Sequence, residues 1–224
     1  MPSGQPDPYR KIGSITCWMV FVLGVVYAGV TLFGFLSLKS PDDPIGDPFF
    51  TAMEILTILL STLMAISMVA VHHYASNEDK FFSLTALLFM VVMAAITSCV
   101  HFAILSMSHA INSARIAEWS FFFSFRWPSV VYVLDILAWD WFFALAMFFA
   151  APVFKTGRLE KRIRTLMLIA GLLSLGGLLG VPLNNMQIRN MGIIGYAVLG
   201  PFVFLLIGIV LHHKAPPGVK DPRY

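Results

Sequence analysis

The chain has 224 residues, of which 58% are hydrophobic and 12% charged, and its mean hydropathy is +0.80. A soluble domain carries about 25% charged residues, and twenty Phe, twelve Met and five Trp cannot all be hidden from water in so small a body. These figures exclude a soluble domain, a disordered chain, a collagen and a disulfide-stapled scaffold; the net charge of +3 does not point to a nucleic-acid partner, because lipid must be the main solvent.

Apolar stretches of about 20 residues, enough to cross a hydrocarbon core of roughly 30 Å, predict six transmembrane helices in one bundle. The expected spans run over about 14–36, 49–71, 81–107, 129–154, 163–181 and 190–211. The first is too long for a signal-peptide core and is expected to stay as an anchor. Alternating the connections between two sides gathers eleven Lys and Arg on one side, Lys155 to Arg164 prominent among them, and leaves Lys39, Arg115, Arg126 and Arg189 on the other. By the positive-inside rule both termini are expected to be cytoplasmic, in an inner or cytoplasmic membrane if the source is bacterial. The excess positive charge then reports orientation and contact with anionic lipid.

Cys17 and Cys99 fall at opposite ends of their helices, too far apart for a disulfide, and read as apolar filler. Between the third and fourth spans, 116–127 holds six aromatics in twelve positions directly before Pro128. It reads as an interfacial helix, a flap over the outer mouth of the bundle, or a plain aromatic belt. Three helices starting inside and three outside give the opposed halves of an inverted repeat, but no motif recurs between them. Gly24, Gly171 to Gly180, Gly192, Gly195 and Gly200 allow close helix approach, and Pro201 is expected to kink the sixth helix.

Three acids fall inside the spans: Glu54, Asp135 and Asp140. Each costs about 2.5–3.5 kcal/mol near a helix centre, so each needs protein or water to face. At 1.5 Å per residue, Glu54, His101 and Asp135 all lie roughly 8–10 Å below the outer surface, which brings an acid, an imidazole and an acid to one level. At about 100° per residue, Glu54, Ser61, Ala65, Met68 and His72 share one side of the second helix, with Thr57 at its edge. Asp135 shares a side with Trp139 and Phe142, whereas Asp140 is expected about 140° away, pointing elsewhere. Tyr196 is placed to reach the cluster with its hydroxyl.

A Glu/His/Asp set can hold a divalent metal, relay protons, bind a cationic or hydrogen-bonding ligand, or fix helix packing through a buried pair. No HExxH, paired CxxC or GxSxG supports a metal or nucleophile assignment. His72–His73 and His212–His213 raise a bis-histidine haem, or imidazoles placed at helix C-termini for their macrodipoles. In 181–190 the polar run reads as a solvated turn with Asn190 capping the last helix, or as an entrance lining with Arg189 or Arg126 pairing an acid. The leading expectation is an outward-facing intramembrane site that binds or passes an ion, a proton or a small polar or amphipathic molecule, with the Glu54–His72 stripe as its path. The alternatives are an intramembrane enzyme acting on a lipid or quinone-like substrate, with Asp135 or Glu54 as acid or base and His101 as partner, and an accessory subunit with structural polar contacts.

Overall fold

A computed structural model describes residues 8–40, 43–110, 121–125 and 127–213. Among them the regular structure is helical: α1 Pro8–Leu36, α2 Phe49–Tyr74, α3 Lys80–Ala110, α4 Val130–Val153, α5 Gly157–Leu178 and α6 Met186–His213. Every helix except α5 is long and apolar enough to cross a membrane. α5 falls short because its first two turns carry Arg158, Glu160, Lys161, Arg162 and Arg164.

Each helix packs on its neighbours in sequence, and α6 returns to α1, so the six close into a ring. The seam between α1 and α6 shows why small residues recur there. Gly208 lies against Trp18 and Cys17, Gly24 against Pro201, and Ser14 Oγ donates to the Gly208 carbonyl at 2.9 Å. The core of the ring is apolar, with Met64, Met68, Met90, Met93, Phe143 and Met147 almost fully buried. Val22, Leu88, Phe102, Leu137, Leu172 and Phe202 are exposed on its outside, the arrangement suited to a surrounding apolar solvent. Cys17 is buried in the α1 seam and Cys99 is exposed.

Two helices are locally underwound from α to π. In α4 the π segment is Leu137–Phe142, where Phe143 N–H reaches Ala138; in α6 it is Ile194–Leu199, where Gly200 N–H reaches Gly195. The second directly precedes Pro201, which lacks the N–H that would continue the ladder, and this places the expected irregularity in the turn before the proline. Such one-turn π segments occur often at functional sites. α6 also starts earlier than its apolar run suggests. Asn185, not Asn190, is its cap, accepting from Gln187 N at 3.0 Å and Ile188 N at 3.4 Å, while Asn190 Nδ2 donates to Gln187 Oε1 at 3.4 Å. The aromatic segment expected at 116–127 lies partly outside the described residues, as does Arg126.

Candidate functional site: a buried acid–base chain

Five ionisable side chains from four helices meet in the half of the ring remote from the α1 N-terminus. His101 of α3 sits between two carboxylates, with Nδ1 2.6 Å from Glu54 Oε2 of α2 and Nε2 3.3 Å from Asp135 Oδ1 of α4. Asp135 Oδ2 is 3.5 Å from Arg189 Nη2 of α6, and Arg189 Nε is 3.5 Å from Asp140 Oδ2, one π segment along α4. The result is a continuous chain Glu54–His101–Asp135–Arg189–Asp140. All five side chains are buried.

The common level expected for Glu54, His101 and Asp135 is thus matched by direct contact. Asp140 overturns the expectation that it points elsewhere. The 100° step holds for an α-helix, but residues 137–142 close i to i+5 turns, which carry position 140 back toward the side of 135. Both acids therefore address the same guanidinium. Arg189, placed by the Asn185 cap in the first turns of α6, is a buried network member and not part of a solvated loop.

Aromatic rings enclose the chain. The Arg189 guanidinium carbon lies 5.1 Å from the Tyr132 ring centroid and 5.9 Å from that of Tyr196, where ring faces attract a cation. Tyr196 thus meets the cluster through its ring face, and Trp139 packs on it at 5.1 Å. Phe125 sits 5.7 Å from the His101 ring, and Trp127 Nε1 donates to Asn184 Oδ1 at 2.9 Å. Tyr27 of α1 lies within electrostatic reach of Glu54 and Asp135, a participant that its position in an otherwise apolar run does not reveal.

Other candidates lie outside the chain of five charged groups. Thr57 Oγ1 donates to the Met53 carbonyl at 2.9 Å and also meets the Tyr27 side chain, whereas Ser61 Oγ donates to the Ile58 carbonyl at 3.0 Å within α2. Below them Met64 and Met68 are buried, and the stripe from Glu54 to His72 is interrupted by apolar packing. His72 Nδ1 instead meets Ser83 Oγ at 2.9 Å, and His212 packs on Trp18 with ring centroids 5.4 Å apart. These two imidazoles address different helices.

The metal candidates fail on a geometric ground. Glu54 and Asp135 approach opposite nitrogens of one imidazole, so their oxygens and the ring do not converge on a point, and among the described residues no group of three His, Cys, Asp or Glu could hold a metal ion. Two apolar grooves, of about 310 Å³ along α1 and about 110 Å³ between α1 and α2, touch none of the five charged groups.

No protein-family model, curated protein or solved structure matches the chain. What the cluster can do must be read from its own chemistry. An imidazole engaged at both nitrogens by carboxylates can take a proton on one side and give it up on the other without moving, because each ring nitrogen already has a partner in line. Three acids, one guanidinium and one imidazole are also unequal in number. Electroneutrality of the set requires one proton on a carboxyl group while His101 is imidazolium, and in a membrane interior departures from neutrality are costly.

Proposed function

We propose that the chain is a multi-pass membrane protein whose buried Glu54–His101–Asp135 triad binds and relays protons. The observation that carries this reading is the seating of His101 between two carboxylates, at 2.6 and 3.3 Å. Protons are favoured over a bound ion because the two carboxylates approach opposite nitrogens of one ring and do not converge on a point.

α5 serves in this reading as a sixth span. Its apolar residues from 165 onward pack between α4 and α6, and its cationic first turns lie in the headgroup zone. Both termini are then cytoplasmic, with the triad in the outer half of the bilayer.

The experiment is proton flux across liposomes holding the purified chain. A pH gradient imposed on wild-type vesicles should dissipate at a rate that falls by about a hundredfold in His101→Ala and clearly in Glu54→Gln, the scale expected when an acid–base group is removed. Unchanged flux in both variants would refute the relay.

One observation favours a second reading, that of an accessory subunit. The network ties α2, α3, α4 and α6 together through buried charged side chains, as a purely structural lock would. Such a lock predicts that His101→Ala lowers the unfolding temperature and that neither variant changes flux.

A further inference from the structure

Arg189 is shared between two acids and fully committed to neither. Its Nη2 is 3.5 Å from Asp135 and its Nε 3.5 Å from Asp140, and the Nε makes no hydrogen bond. Both Asp140 oxygens are likewise buried without a hydrogen-bond partner. Buried carboxylate oxygens normally accept hydrogen bonds, and orphaned ones call for an explanation. Here the cause is the wall they face. Asp140 sits in a slot between Gly177 of α5 and Gly192 of α6, where a methyl group on Gly192 would collide with Oδ1. Glycine supplies room but no donor.

Resting on the proton-relay reading, we propose that Arg189 is a two-position counter-ion and positioning residue that couples proton release at Asp140 to proton transfer from His101 to Asp135. In the first state Glu54 and Asp135 are carboxylates, His101 is imidazolium, Arg189 is paired with Asp135, and Asp140 is a neutral carboxylic acid. The set then sums to zero charge. When the Asp140 O–H bond breaks and its proton passes to a water molecule, the new carboxylate draws Arg189 Nε toward Oδ2 and Nη2 leaves Asp135. The Nε2–H bond of His101 then breaks and an O–H bond forms at Asp135 Oδ1. Neutral His101 keeps its Nδ1 proton toward Glu54 Oε2. One proton has left, the set carries a charge of −1, and no charge is left without an opposite neighbour except Glu54, which retains the hydrogen bond from His101.

The groups facing Asp140 are consistent with this exchange. α6 presents Arg189 and Tyr196, α4 presents Asp135 and Tyr132, and α1 contributes Tyr27 beside Tyr196. His101 and Glu54 of α3 and α2 act through Asp135. At this level α5 offers Gly177 and Ser174, the latter with its hydroxyl also unpartnered, and among the described residues no charge. Among the described residues, Arg189 is the one cation placed against Asp140.

Infrared difference spectra of the full chain in lipid nanodiscs, recorded as pH is raised, test the coupling through the carboxylic C=O bands. In wild type a band absent from Asp140→Asn should disappear while a band absent from Asp135→Asn appears with comparable amplitude. In Asp140→Asn the Asp135 band should no longer appear. Arg189→Lys, which keeps the charge, should retain both changes, and Arg189→Gln should uncouple them. If Arg189→Gln fails to fold, Asp140→Asn decides the matter alone. An Asp135 band that appears unchanged in Asp140→Asn, or an Asp140 band that is silent in wild type, would overturn the switch while leaving the relay intact. If neither Asp135 nor His101 changes protonation, the relay itself fails and the switch with it.

Discussion

Two buried carboxylates at opposite ends of the ring are treated in opposite ways. Glu160, 1% exposed at the start of α5, accepts from Tyr74 Oη at 3.1 Å, Lys155 N at 3.1 Å, Thr156 N at 2.7 Å and Thr156 Oγ1 at 3.0 Å. Asp140, 0% exposed, accepts no hydrogen bond and faces glycines. Around Glu160 the other contacts are also complete: Lys155 Nζ is 2.6 Å from Asp79 Oδ1, Lys80 Nζ donates to the His72 carbonyl at the end of α2, and Arg10 Nε donates to that of Leu211 at 3.0 Å. A saturated carboxylate fixes one geometry, and an unsaturated one leaves its counter-ion a choice. The end near Glu160 ties helix termini together through a saturated carboxylate, and the proposed switch places exchange of the counter-ion at the end near Asp140.

The largest expected effect comes from breaking the saturated end. Glu160→Ala removes the shared acceptor of four hydrogen bonds, and since a hydrogen bond to a charged group is worth about 1.5–3 kcal/mol, the loss should reach about 3 kcal/mol in denaturant unfolding in micelles. Gly192→Ala probes the other end by forcing a methyl group onto the Asp140 carboxylate, at an expected cost of about 1–3 kcal/mol. Combined with Asp140→Ala it should cost clearly less than the sum of the two, a coupling that double-mutant unfolding measures. Tyr74→Phe removes one of the four bonds to Glu160 and should cost about 1 kcal/mol. Smallest is Asp140→Asn, expected within about 1 kcal/mol of wild type because no hydrogen bond is lost. Were Asp140→Asn as damaging as Glu160→Ala, the contrast between the two ends would collapse.

How far these features can be read from the chain depends on which rule governs each residue. Lipid-length apolar runs reveal α1 to α4 and most of α6, and counting residues from helix ends suffices to bring Glu54, His101 and Asp135 to one level, because rise per residue is nearly constant. Facing is less secure than depth. A single π segment was enough to misplace Asp140, since angular error accumulates wherever the turn changes. Arg189 is obscured by its polar surroundings; taking Asn185 as the cap puts Arg189, Gly192 and Tyr196 at i, i+3 and i+7 on one face, and that spacing is the signal that finds it. Glu160 looks like an ordinary loop charge. It stands four residues after Thr156, one beyond the capping-box spacing, and Gly157, with φ of 81°, lets the backbone turn so that the carboxylate reaches back.

The relay turns on the proton on one ring, and ¹⁵N spectra of histidine-labelled protein in lipid, with His101→Ala used to assign the signals, read it directly. A relay predicts that His101 Nε2 passes from protonated to unprotonated as pH is raised while Nδ1 remains a hydrogen-bond donor to Glu54. A ring whose two nitrogens keep one fixed protonation state over the whole pH range in which the protein stays folded would contradict it.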